Sequence, residues 1–421
     1  MTFNSLKTWN LLSVDTENNS VNLPKRLFNS SVVTAGNYIY ILGGYDPLSQ
    51  DDISQKQVYF AKINSNGTIS KWMPTTDLIK SVYASCAVTL GNYIYIMGGW
   101  NLTATDSEML DNVYMAPINN NPSGSLGVWT PTTSLPNPIR YACALTYNLY
   151  IYILGGQNQN REILNTVYMA PINNERKVGA WTRTTNLPIS IKNACAVISD
   201  NYIYIIGGIS TDVSGINKYL NTVYRASIDN EGKVGEWTIM KQLPQPISDA
   251  SAIISGKSIF VMGGNNNEPV NNILNTVYSA QINTNGTLNY WLELSKYTTN
   301  PLLQTLTSSC AITSGNYIYL IGGQFDERGI DISTSDNVYS AELTTTNLDA
   351  YIALQNEITT TATPTTIAPT TIAPTTATPT TAARKASSIK LANFLVDLII
   401  NISIIIGIIV VAIEIILIGI K

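Results

Sequence analysis

The chain has 421 residues, of which 45% are hydrophobic and 12% charged, a balance that excludes wholesale disorder and supplies ample apolar surface for a core. The formal net charge is −4, from 24 basic and 28 acidic residues, and no basic run is long enough to hold a phosphate backbone, so nucleic acid is excluded as the partner. Histidine is absent, which removes His-ligated metals, Ser-His-Asp and Cys-His pairs and His general bases in one step, and leaves carboxylate chemistry and binding.

The N-terminal segment begins with a strand-like run, Leu6-Lys-Thr-Trp9-Asn-Leu-Leu12, followed by Leu23-Pro24. From there one pattern recurs six times. Each copy has an apolar strand that ends in two glycines, in the strings Tyr38–Gly44, Tyr93–Gly99, Tyr150–Gly156, Tyr202–Gly208, Ser258–Gly264 and Tyr317–Gly323. The first glycines fall at 43, 98, 155, 207, 263 and 322, a period of about 56 residues. Twelve positions earlier stands a small residue, Ser31, Cys86, Cys143, Cys195, Ser251 or Cys310. Between it and the glycines lies a turn such as Gly36-Asn37, Gly91-Asn92 or Gly315-Asn316, the signature of a hairpin whose central residues take positive φ. After the glycines come a variable polar loop, a Val-Tyr strand, a second turn (Asn66-Gly67, Glu231-Gly232, Asn285-Gly286) and a Trp strand at Trp72, Trp129, Trp181, Trp237 and Trp291.

Four short strands rich in Tyr, Ile and Val make one small antiparallel sheet that cannot bury both faces alone. Stacking six such sheets around an axis buries them and removes the terminal edges, so the expected fold is an all-β, six-bladed propeller over residues 1–350. The diglycine, the Tyr and the Trp at this spacing resemble the kelch repeat, over roughly residues 5–345. The resemblance implies a propeller; about function it implies little, since kelch propellers include enzymes, adaptors and structural proteins. The sixth repeat ends without its Trp strand. The Trp9 segment is expected to supply that outer strand and close the ring, with Ala350-Tyr-Ile-Ala353 as the competing candidate.

Residues 351–390 read as a Thr/Pro/Ala-rich linker, with Pro364, Pro369, Pro374 and Pro379 in a period of five. It is either an O-glycosylated stalk or an unmodified tether. Arg384, Lys385 and Lys390 then precede an apolar run over 391–420, long enough for one C-terminal transmembrane helix, in which Glu414 is placed to snorkel outward. The expected location is a membrane, single-pass, with the side of the propeller open. Basic residues before the span and four cysteines that need not pair favour a cytosolic side. The stalk favours the outside, and the sequons at Asn18, Asn29, Asn66, Asn101 and Asn285 decide nothing in so Asn- and Thr-rich a chain.

The loops after the diglycines carry the variation. Blade one offers Asp46, Asp51 and Asp52, blade two Asp106 and Glu108, and blade six Asp326, Glu327 and Asp331, whereas the loops of blades three to five are near neutral. In a closed ring those three blades adjoin, so one sector of one face is expected to be acidic and suited to a basic partner or, through carboxylate oxygens, a hard cation. Asp111 and Asp336 match Asn165, Asn221 and Asn275 and belong to turns. The arginine positions suggest no clustered carboxylate clamp. No catalytic residue, cofactor or metal is assigned. The expected function is a membrane-anchored, non-enzymatic module binding a protein or glycan through its loop face. A carboxylate enzyme resembling kelch-type sialate mutarotases and a cytosol-facing adaptor are the alternatives. Copper oxidases of the galactose-oxidase type need histidines that this chain lacks.

Overall fold

The computed structural model describes residues 2–49, 53–104, 107–120, 123–212, 214–266, 272–297, 301–327 and 331–347; the linker and span expected at 351–390 and 391–420, and the rival strand at 350–353, lie outside them. Among the described residues no helix is long and apolar enough to cross a membrane.

Six antiparallel sheets carry the fold. Blade three shows the plan. Cys143–Tyr147 pairs with Tyr150–Leu154, which pairs with Val167–Pro171, which pairs with the two-residue outer strand Thr182–Arg183. Trp181 stands just before that outer strand, and Trp72, Trp129, Trp237 and Trp291 hold the same place in their blades. Blade six is completed from the other end of the chain. Asn10–Leu12 pairs with Val338–Ser340 and Thr2–Leu6 with Leu343–Asn347, so the N-terminal segment is the outer strand and Trp9 lies buried just before it.

The Tyr-Ile-Tyr-Ile string explains how the blades stack. Residues two apart on a strand share a face, so the tyrosines meet one neighbouring blade and the isoleucines the other. Each core cluster therefore straddles a seam. Tyr152 packs with Ile203 and Ile205 of blade four, Tyr95 with Ile151 and Ile153 of blade three, and Tyr319 with Ile39 and Ile41 of blade one. These rings are wholly buried, each contributing about 1.5–3 kcal/mol by leaving water. Their hydroxyls are not wasted. Tyr152 donates to Gly232 O at 2.7 Å, Tyr204 to Gly286 O at 2.7 Å and Tyr319 to Gly67 O at 3.0 Å, in each case the turn of the next blade. The first tyrosine of the string packs against the same glycine. A Cβ on Gly232 would stand 2.9 Å from the Tyr150 ring, and its φ is +84°, so glycine suits this turn, although blade three holds Arg176 at φ +65° in the equivalent place and its carbonyl still accepts from Tyr95 at 2.6 Å.

The tryptophans tie each blade to the one before it. Trp129 Nε1 donates to Thr76 O at 3.0 Å, Trp181 to Thr133 O at 3.1 Å and Trp237 to Thr185 O at 3.2 Å. Several departures break the repeat, one being the buried Tyr40 hydroxyl of blade one, which has no partner among the described residues. Blade two extends its third strand to Val113–Asn120 and pairs it with an added strand, Ser123–Leu126. Blade five has Phe260 in place of the buried tyrosine, and after its outer strand Leu292–Glu293 runs a single helical turn, Leu294–Tyr297. Trp9 Nε1 is buried with no acceptor.

Candidate functional site

Two rings of hydrogen bonds organise the centre of the propeller. The first explains the small residue of every repeat. Cys86 Sγ donates to Ala142 O, Cys143 to Ala194 O and Cys195 to Ala250 O, each at 3.1 Å, and Cys310 to Ser30 O at 3.0 Å. Ser31 Oγ donates to Ser85 O at 3.0 Å and Ser251 Oγ to Ser309 O at 2.7 Å, which closes the circle. The acceptor is always the residue preceding the equivalent small residue of the next blade. A thiol and a hydroxyl both serve as donors, so Cys and Ser alternate freely here. All four cysteines are free, and burial pushes the thiols upward, those of Cys143 and Cys310 to about 12, which keeps them in the thiol form that donates.

The second ring lies two residues earlier. Asn29, Ala84, Tyr141, Asn193, Asp249 and Ser308 all take φ between 50° and 55°. Their main-chain N–H groups donate around the circle, Ala84 to Asn29 O, Tyr141 to Ala84 O, Asn193 to Tyr141 O, Asp249 to Asn193 O, Ser308 to Asp249 O and Asn29 to Ser308 O, at 2.8–3.3 Å. Left-handed backbone at non-glycine residues is costly. Here the closed circle of hydrogen bonds holds it in place, and six side chains are presented at one mouth of the axial channel. The cavity inside this ring measures about 130 Å³. At the channel's other end a cavity of about 370 Å³ is lined by Val, Ile, Ala, Leu and Thr of the inner strands.

The mouth lies on the face that carries the diglycine loops, and its wall has two further residues per blade. The residue before each ring position bridges to the residue after each diglycine: Phe28 to Tyr45, Tyr83 to Trp100, Arg140 to Gln157, Lys192 to Ile209, Ser248 to Asn265 and Thr307 to Gln324. The wall is thus aromatic in blades one and two, cationic in three and four, and polar in five and six. Phe28 and Tyr45 lie 4.8 Å apart between centroids, Tyr45 and Tyr83 5.2 Å, and Tyr83 stacks on Trp100 at 6.2 Å. The Arg140 guanidinium closes this arc, 3.9 Å from the Trp100 ring and 4.9 Å from that of Tyr141, with Nη2 donating to Gln157 Oε1 at 3.0 Å.

Charge at the mouth is strained. Burial lowers the pKa of Lys192, and the Arg140 charge lowers it further against the opposing pull of Asp249. Burial raises the carboxyl of Asp249, although Ser248 Oγ donates to its Oδ2 at 2.9 Å, Asn193 Nδ2 donates to its Oδ1 and Lys192 lies near. Two cations from adjacent blades, Arg140 and Lys192, therefore stand side by side at the mouth, with one hydrogen-bonded carboxyl, Asp249, beyond Lys192 in blade five. Such a set favours an incoming anion.

The acidic residues expected to form a site are placed as follows. Asp51, Asp52 and Asp106 lie outside the described residues. Asp46 is 9% exposed and accepts the N–H of Leu48 at 3.1 Å, capping its own turn. Glu108 pairs with Lys80 at 2.7 Å. Asp326, Glu327 and Asp331 lie on a hairpin in which Gln324–Glu327 pairs with Asp331–Thr334, and the Asp326 N–H donates to Thr305 Oγ1 at 3.1 Å. Among the described residues no three carboxylates or cysteines are grouped closely enough to hold a metal ion. The pairing of Arg140 with Lys192 escapes a count of arginines. It is legible in the repeat frame, as the column three positions before the small residue: Phe28, Tyr83, Arg140, Lys192, Ser248, Thr307.

A family model described as the KLHDC2/KLHL20/DRC7 Kelch-repeats domain matches residues 84–323, more than half of the chain. The chain belongs to the kelch-repeat family. It is similar to Kelch-like protein 23 of Mus musculus, 24% identical over 235 residues that cover 55% of this chain and 36% of that protein. It is also similar to Kelch-like protein terF of Aspergillus terreus, 24% identical over 256 residues, 58% of this chain and 50% of the other. This kelch chain thus spans a third to a half of those relatives. The solved structure of YjhT shares the fold, with a TM-score of 0.57 at 14% identity, covering 77% of this chain and 99% of that one.

Proposed function

We propose that this kelch propeller is a membrane-anchored, non-enzymatic binding module whose diglycine-loop face takes an acidic segment of a partner protein at the channel mouth. The observation that carries the reading is the convergence of Arg140 and Lys192 beside the Tyr45–Tyr83–Trp100 arc, over a ring held by its own backbone. A rigid aromatic shelf with an adjoining arginine is the composition of binding hot spots: the rings contribute large contact for little ordering entropy, and the guanidinium is already held by Trp100 and Gln157. The kelch relatives, named as kelch-like proteins, support a binding role for the fold. Anchoring rests on the apolar run over 391–420.

The test uses an acetylated, fluorescent acidic hexapeptide of Glu and Tyr, titrated with the full chain in detergent. Saturable binding is expected, weakening as salt rises and falling at least about tenfold in Arg140→Gln. Equal binding by the wild type and by the Arg140→Gln/Lys192→Gln double variant, or none by either, overturns the reading.

A further inference from the structure

A second cavity adjoins the mouth, and one ribbon of backbone separates the two. Ile139–Arg140 pairs with Gln157–Asn158, and successive residues on such strands point to opposite sides. Arg140 and Gln157 meet each other on the mouth side. Ile139 and Asn158 line a cavity of about 230 Å³ on the other side, together with Leu135, Ile153, Leu164, Tyr168 and Arg183. The cavity belongs to blade three for a reason visible in the sequence. Ten residues lie between Gly156 and Val167, the shortest such connection of the six, against fourteen between Gly208 and Val223, so the loop does not reach over the groove. Thr166 Oγ1, on its lining, is buried without a partner, but so are those of Thr222 and Thr276 at the same repeat position, and that hydroxyl marks the repeat rather than the cavity.

We infer that the two sites form one bipartite groove, which takes an extended peptide carrying an acidic residue on Arg140 and Lys192 and a leucine-sized apolar residue in the cavity beyond Ile139. This deepens the proposed function and rests on it. The occupant follows from charge and shape together. The mouth side of the ribbon is cationic; the far side is lined by Leu135, Ile139, Ile153 and Leu164, with amide groups and the Arg183–Tyr168 pair also on its lining, and blade three alone combines a charged ribbon residue with a shortened loop. Groups packed on opposite faces of one ribbon are about 10 Å apart, which an extended chain spans in about three residues at about 3.3 Å each. The acidic and apolar residues should therefore be three positions apart.

The experiment measures binding of the full chain in detergent to acetylated fluorescent peptides. Each peptide carries a single Glu, and a Leu placed one to six residues from it on a Gly/Ser background; a matched peptide carries Glu alone. The expected result is an optimum at a spacing of three, about tenfold tighter than Glu alone. That ratio falls to near one in Leu164→Asn and when the peptide's Leu is replaced by Asn, the latter needing no altered protein. If affinity is the same at every spacing while Arg140→Gln still abolishes binding of the Glu peptide, the bipartite groove is wrong and the acidic-segment reading stands. If no peptide depends on Arg140, the underlying reading itself fails.

Discussion

Asp249 holds its carboxyl at the mouth under opposed influences, burial raising its pKa and two hydrogen bonds and Lys192 lowering it, with burial the stronger. A carboxyl raised above its unfolded value stabilises the fold only below that value, and the contribution is lost as pH rises through the folded one. Asp249→Asn should therefore be more stable than wild type at neutral pH, and the advantage should vanish below about pH 4, the ordinary range for Asp. Thermal melts of both proteins across that range check it; a pH-independent difference would contradict the assignment. The small-residue ring gives a second prediction at this scale. Cys143→Ser keeps a donor for Ala194 O, as Ser31 and Ser251 do in their blades, and should cost little. Cys143→Val leaves that carbonyl unpaired and should cost about 1–3 kcal/mol in denaturant unfolding. The position of the small residue was legible in the sequence, because it recurs in every repeat. Its partner was not, because a main-chain acceptor across a seam leaves no mark on residue type. The same holds for the ring of positive φ, filled here by Asn, Ala, Tyr, Asp and Ser, which share no side-chain chemistry.

At the scale of elements, the repeat frame announced the blades and even the closure by Trp9, since strand period, diglycine and Trp are all local signals. What it did not announce are the seams. Between blades five and six Phe260 has no hydroxyl to donate, Trp9 Nε1 has no acceptor, and the turn Leu294–Tyr297 stands where other blades carry their Trp acceptor. Trp9 and Trp129 are about equally buried, but only Trp129 has a bond to lose. Trp129→Phe should therefore be about 1 kcal/mol more destabilising than Trp9→Phe, the value of the bond to Thr76 O. Equal losses in chemical denaturation would contradict the seam account. Deleting residues 1–12 is a harsher change. It strips the outer strand from blade six and uncovers the Leu6–Trp9 contacts in its core, so a loss of several kcal/mol is expected.

For the whole molecule, the sequence drew attention to charge in long loops, and the structure draws it to the ring those loops surround. Asp46 and Glu108 are occupied by their own loop and by Lys80. Arg140 and Lys192, 52 positions apart in a chain of few cations, are brought to adjacent places by the repeat itself. Function in a propeller collects where connections from every blade converge, because the blades themselves are committed to packing. The measurement that tests this most directly is an unbiased peptide-display selection on the full chain, run in parallel on the Arg140→Gln/Lys192→Gln variant. An acidic consensus is expected with the wild type and is expected to disappear with the variant. A basic consensus, or an acidic one that survives the variant, would contradict the proposed binding at the mouth.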